Sequence, residues 1–505
     1  KTTVIDLGGK LAVPGFIEGH GHFTSVGAAK LNLDLSKVNN WDEVIAMVKE
    51  AVARAEPGEW ILGRGWHQEK WDRVPPAAVE GFPTHNALSA VSPDNPVCLT
   101  HASGHACFFN AKAMALASVD ATTPDPPGGE ILKDAAGQPI GVFRETAQAL
   151  VRRVYREQSH RTPEQEQAHI RRLIELADEE CLAKGVTSFQ DAGSSFATIE
   201  VFKKMAEEGK LGTRLWVMVR EPNKRLAARL PDYRTVGAAN HHLTVRAVKG
   251  IIDGALGSRG AWLLDPYTDA PDSRGLNTAT VADLTETARL ARRHRFQFCV
   301  HAIGDRANRE VLNIFESTFD KVDHLRKARW RVEHAQHLHP ADIPRFARLG
   351  VIASMQGVHC TSDAPYVIDR LGRIRAREGA YVWQTLIKSG ALVTNGTDTP
   401  VEDVDPIAGF YATVSRRLKD GSVFFPDQRM SRMQALRSYT INNAYAAFEE
   451  KLKGSLTPGK LADIVVLSRD ILTCPERLVP SARVLHTIVG GKVVYSDAAL
   501  PTPTR

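Results

Sequence analysis

The chain has 505 residues, 43% of them apolar and 24% charged, with a net charge of +6 from 64 basic and 58 acidic side chains. This is a globular balance, and it excludes a disordered, collagen-like or coiled-coil chain. No apolar run approaches the ~20 residues of a membrane-spanning helix, and no basic stripe carries interleaved aromatics, which argues against membrane and nucleic-acid partners.

At ~150 residues per domain, about three domains are expected. The six cysteines (Cys98, Cys107, Cys181, Cys299, Cys360 and Cys474) are widely spaced without a CxxC pair. They read as buried thiols in a reducing, cytoplasmic setting rather than as a disulfide framework. The first ten residues hold neither an initiator Met nor an apolar signal core, so the chain reads as missing its true start, and this end does not decide export.

In chain order, short apolar runs alternate with helix-period segments. The runs fall at 13–17, 186–189, 214–219, 245–252, 296–300, 330–332, 350–354 and 391–394, with helical stretches such as 164–184 and 282–295 between them. Eight strands alternating with helices predict parallel βα units and a (β/α)8 TIM-like barrel. Two stretches fall outside this pattern. Residues of about 33–153 carry Trp60, Trp66, Trp71 and many prolines, and predict an inserted subdomain over the barrel mouth. Residues 462–467 and 484–494, with Gly490-Gly491 between apolar runs, read as strands and a hairpin, and residues 3–7 share their character. The chain ends, 1–12 and 455–505, are therefore expected to form one small β-sandwich domain beside a barrel unit of 13–454.

His20-Gly21-His22 is the first chemical signal. Residues i and i+2 of an extended segment point to one side, so both imidazoles can reach one ion; the bland alternative is two surface histidines in a turn. His301, His334 and Asp398 end three further candidate strands, where such barrels place catalysis. Taken singly, His301 could be a satisfied core histidine and Asp398 a helix cap. Together, imidazole nitrogen and carboxylate oxygen suit Zn²⁺ and related divalent ions. Alternation puts Lys249 on the face of Val245 and Ala247, inside the barrel. A buried ammonium must lose its proton or find a partner. It could react with carbon dioxide to give a carbamate, an anionic ligand able to bridge two metals, or it could pair with Asp253.

Residues 14–22 (PGFIEGHGH) resemble the first metal-binding strand of the amidohydrolase superfamily. Within it the chain is similar to the YtcJ-like branch, amidohydrolase family 3, which includes N-substituted formamide deformylases. Further matching motifs are Gly104-His105-Ala106 with Asn110 and Ala113, KGIIDG at 249–254, VHAIGDRA at 300–307, VEHAQ at 332–336, GTDTP at 396–400, YTIN at 439–442 and PGKLAD at 458–463. They run in family order over almost the whole chain. The resemblance implies that His20, His22 and Asp398 bind one zinc, that His301 and His334 bind a second, and that carboxylated Lys249 bridges them. It also implies a metal-bridging hydroxide attacking an amide or formamide C–N bond, with Asp398 as general base and then general acid. Gly21 stands where a bulkier residue is common, and Glu18 and Gly19 stand where Asp and a small residue are usual; none of these removes a ligand.

Substrate contacts are expected from the loops and the insertion: Trp66, Trp71, His105, Ser258, Arg259 and His359. The tryptophans could instead pack the insertion's own core, His105 could hold the insertion to the barrel, and Arg259 could be a surface charge. Asp305 is read as a helix cap. The tryptophans suggest a small-molecule amide with an aromatic or aliphatic part, and a homodimer is expected. The same metal site would also allow deamination or ester and lactone hydrolysis, and a non-catalytic binding homologue is a third reading.

Overall fold

The computed structural model describes residues 4–159 and 161–497. All eight expected runs contribute to one barrel, though the first is split, Val13 and Pro14 going to another sheet: β1 (Phe16–Gly21), β2 (Val186–Ser194), β3 (Arg214–Val219), β4 (Leu243–Ile251), β5 (Gln297–Ala302), β6 (Arg331–His334), β7 (Ile352–Gln356) and β8 (Val393–Gly396). Each pairs in parallel with its sequence neighbour. Strands covered on both faces need near-continuous apolar sequence, which is why these runs were visible. Inside the barrel, Ala192, Trp216, Met218, Ala247 and Cys299 form a buried plug. Lys249 lies two residues beyond Ala247 on the same inward face, at the level where β4 pairs Lys249 with Cys299 and Ile251 with His301.

The seam between β8 and β1 is held by a few directed bonds. Asp398 N–H donates to His20 O at 2.7 Å, and Thr397 N–H donates to Glu18 Oε1 at 2.8 Å. Gly19 has no room for a side chain, since a Cβ there would sit 2.3 Å from Asn395 O and 2.5 Å from Asn443 Oδ1. Gly21 is equally constrained, by Phe189 at 2.6 Å and Thr399 at 2.8 Å. Of the three departures from the usual first-strand pattern, the two glycines thus have a packing cause on this seam.

Between β1 and β2 the chain builds a mixed six-stranded sheet. Its strands Leu33–Asp34, Ile61–Trp66 and Val97–His101 are parallel, and Ala106–Phe109, Pro139–Glu145 and Gly129–Lys133 follow antiparallel. A four-stranded antiparallel sheet joins Leu11–Pro14 to Ile464–Leu467, Val484–Val489 and Lys492–Ser496. The N-terminal strand is therefore later than expected: residues 4–7 belong to no strand, and Thr3 lies outside the described residues. A turn at Gly8 and Gly9, closed by Lys10 N–H on Leu7 O at 3.0 Å, separates them from the sheet. The buried Arg214–Asp463 pair, at 2.8 Å and 3.1 Å, ties this sheet to β3. The six cysteines are all free and all but Cys474 are buried. Among the described residues no helix is long and apolar enough to cross a membrane.

Candidate metal centre

The carboxyl ends of the barrel strands converge on Asp398. Its Oδ1 lies 3.3 Å from His22 Nε2 and 3.5 Å from His20 Nε2, yet this buried oxygen has no hydrogen-bond partner among the described residues. Among them His301 Nε2, 3.5 Å from Asp253 Oδ1, and His359 Nε2 are also buried without a hydrogen-bond partner. Ligand atoms of His20, His22 and Asp398 lie within 4.8 Å of one another, as do those of His334, His359 and Asp398. Burial of several imidazoles and a carboxylate with their lone pairs unspent fits a divalent cation, since native proteins rarely leave such atoms unsatisfied.

The backbone is strained where two of these groups sit. His334 (φ 74°) and Asp398 (φ 57°) both occupy the left-handed region. Such residues cost of order 1–3 kcal/mol each and gather at functional sites.

A layer behind the cluster orients it. Glu333, fully buried on β6, accepts from His20 Nδ1 and from Arg331 Nε, the latter at 2.7 Å. Arg331 is itself spread over Gln190, Gly19 O at 3.0 Å and Ser354 Oγ at 3.3 Å. Gln356 donates to Ser354 O at 3.1 Å, which points its Oε1 at His334 Nδ1, 2.7 Å away. Both arrangements put the N–H on Nδ1 and leave Nε2 as a lone pair facing the site. Burial favours this state: it lowers His20 to about 4, helped by Lys249, and takes His334 and His301 well below their ordinary value. Burial alone would raise Glu333, but Arg331 and His20 outweigh it and keep the carboxyl ionised. Asp398 is likewise held well below the usual range by His22, His20 and His334 against the effect of burial.

Lys249 is buried, and its hydrogen-bond partner among the described residues is His20 Nε2 at 3.2 Å. Burial lowers its ammonium to about 8. The alternative partner, Asp253, is fully engaged elsewhere: it accepts from Trp262 N (2.9 Å), Ile303 N (3.0 Å) and Gly304 N (2.8 Å). It thereby fixes the turn that follows His301.

A cavity opens above the cluster. Its floor includes His301, His334 and Asp398, and its walls bring His105 and Ser103 from the insertion and His359 from beyond β7. Of the expected substrate contacts, His105 and His359 line it. His105 stands 4.9 Å from the His301 ring, and its Nδ1 lies 2.7 Å from Glu145 Oε2. Burial would lower His105, but the Glu145 carboxylate raises it. The other four contacts are displaced from the cavity lining. Trp66 is fully buried in the insertion core, with Nε1 donating to Leu99 O at 2.9 Å and Trp71 6.1 Å away. Ser258 is buried and bonds Ala255 O, and Arg259 pairs with Asp269 at 3.0 Å. Asp305 opens its helix as the first residue and accepts from Leu264 N at 2.9 Å, while Gly304 holds the cap position. Sequence reading missed His67, Lys70, Asp363, Tyr366 and Glu402, which complete the walls, and the orienting groups Arg331, Glu333 and Gln356. Only Glu333 carried a signal, two residues from Arg331 and so on the same side of one short strand.

An eight-stranded barrel with imidazoles and a carboxylate at its strand ends is the architecture of a metal-dependent hydrolase. The amidohydrolase family model matches residues 3–495, and the chain belongs to that family. It is 34% identical to Protein LONG AFTER FAR-RED 3 of Arabidopsis thaliana, over 98% of this chain and 84% of that one. It is 30% identical to the putative amidohydrolase YtcJ of Bacillus subtilis (99% and 91% covered) and 26% identical to the N-substituted formamide deformylase of Arthrobacter pascens (97% and 90%). Among solved structures, an uncharacterized metal-dependent hydrolase from Pyrococcus horikoshii superposes with a TM-score of 0.72 at 28% identity, covering 94% of this chain and 89% of that one.

Proposed function

We propose that the protein hydrolyses a C–N bond of the amide or formamide type with two zinc ions. His20, His22 and Asp398 would hold one ion, His301 and His334 the other, with Lys249 as a carbamate between them. The observation that carries this reading is the buried Lys249 amine, beside His20 and without an ion pair among the described residues. Burial favours the neutral amine, which can add to carbon dioxide and release a proton to become the anionic ligand. The similarity to a formamide deformylase supports the bond type.

Bound divalent metal supplies a Lewis acid that lowers the pKa of water and polarises a carbonyl. The chain's own groups do the rest. Asp398 takes a proton from water and returns it to the departing nitrogen. Glu333 and Gln356 keep the His20 and His334 rings aimed. His105, braced by Glu145, faces the space above His301, where a carbonyl or leaving group would lie.

A panel of N-formyl and N-acyl compounds, assayed with and without a chelator, tests the function. Chelator-sensitive release of formate or another acid is expected. Turnover of esters or lactones alone would reassign the bond, and activity indifferent to metal removal would end the reading. Lys249→Met should reduce bound zinc from two ions to one.

A further inference from the structure

We infer that His359 is an additional metal ligand, joining His334 and Asp398 around one ion. This rests on the metal-dependent reading above and adds a ligand from the end of β7, a strand from which the expected set takes none. His359 is the third residue of the helix Gly357–Leu371, which begins directly where β7 ends. The start of that helix is fixed on two sides. Gly357 N–H donates to Asn395 Oδ1 at 2.7 Å, and a Cβ on Gly357 would meet Thr413 Oγ1 at 2.1 Å. His359 is therefore delivered to one place by rigid elements.

The side chain is only 6% exposed, and its Nε2 has no hydrogen-bond partner among the described residues. A histidine kept for packing would direct that nitrogen to a donor or acceptor. A ring nitrogen of His359 instead lies with a nitrogen of His334 and a carboxylate oxygen of Asp398, all within 4.8 Å of one another. The His334 and His359 rings lie nearly parallel, at 13° with centroids 6.2 Å apart. Two imidazoles and a carboxylate are the donor set of catalytic zinc sites, which keep one position open for water or substrate. Asp398 then belongs to both groups of three, with His20 and His22 on one side and His334 and His359 on the other.

The test uses wild-type protein and two variants. In zinc-loaded wild-type crystals, anomalous maps should place an ion at about 2.0–2.1 Å from His359 Nε2. In chelator-competition titrations, His359→Gln and His359→Ala should leave one ion bound as in wild type and weaken the other at least ~100-fold, more than loss of an outer-shell partner causes. A zinc-to-His359 distance beyond ~3 Å, or wild-type affinities in both variants with only KM changed, would overturn the assignment and make His359 a substrate contact. Wild-type protein that binds no ion at all would instead sink the metal reading of the whole site.

Discussion

Glu333→Gln separates stability from site assembly. The carboxylate is fully buried and serves two donors at once, Arg331 Nε at 2.7 Å and His20 Nδ1. An amide of the same shape has one oxygen, so one donor must face an N–H₂ group, and Arg331 loses its counter-charge. Breaking a buried pair from one side costs about 3–5 kcal/mol. The remaining bonds of Arg331 to Gln190, Gly19 and Ser354 place this case toward the lower end. Independently, His20 loses the acceptor that fixes its tautomer, which should weaken metal binding by roughly 10–100-fold. Urea unfolding of the chelator-treated protein reads the first effect, and competitive metal titration reads the second. Arg331→Met added to Glu333→Gln removes the stranded guanidinium, so the double variant should regain most of the lost stability while metal binding stays weak. Wild-type metal affinity in Glu333→Gln, or a double variant that recovers metal binding together with stability, would refute the orienting role.

Asp398→Asn should leave the fold intact and lower kcat/KM by about 10²–10⁴-fold, the usual contribution of a positioned acid–base group; steady-state assay against circular dichroism checks both halves. Trp66→Ala should cost about 3–5 kcal/mol by urea unfolding, as loss of a buried aromatic does, without a selective rise in KM. Three buried histidines should also weaken the fold in acid. His67, His101 and His337 are held neutral by burial, His337 down to about 3. Their folded pKa values are depressed, so the stability they contribute above the unfolded histidine pKa of ~6.5 is lost as pH drops through and beneath it, about 1.4 kcal/mol each at pH 5.5. Burial raises Glu18 to about 8 and Asp253 to about 7, which acts in the opposite direction over the same range. The histidine part is therefore read by replacement: the change in urea midpoint from pH 7.5 to 5.5 should be less unfavourable in His337→Gln than in wild type, and an identical pH dependence would mean that this ring is solvated.

The barrel was legible because its strands are apolar runs, three of which lead into a residue that apolar packing does not explain: His301, His334, Asp398. Strand alternation also placed Lys249 inside, and the structure puts it there. What stayed hidden depends on contacts remote in sequence. Glu145 meets His105 only because two antiparallel strands of the insertion align them, and Lys70 meets Glu402, 3.3 Å away, from a different unit of the chain. Trp66 misled for a related reason. An indole in a loop-rich segment reads as a binding surface until the sheet that encloses it is known. The strand at Leu11–Pro14 was misplaced to residues 3–7 because Val13 and Pro14 read as the start of the first barrel run; at the end of this edge strand the missing N–H of Pro14 costs nothing.

The seam that closes the barrel also sets a schedule. Glu18 and Thr397 meet across 379 residues, and His20 and His22 reach Asp398 over a similar span. At ~5–20 residues per second of synthesis, the first two imidazoles wait roughly 20–75 seconds for the carboxylate that completes their set. Until Asp398 is made, the nascent chain carries the imidazoles of both groups of three without the carboxylate they share. Tight capture of an ion becomes a signal that the last strand has docked.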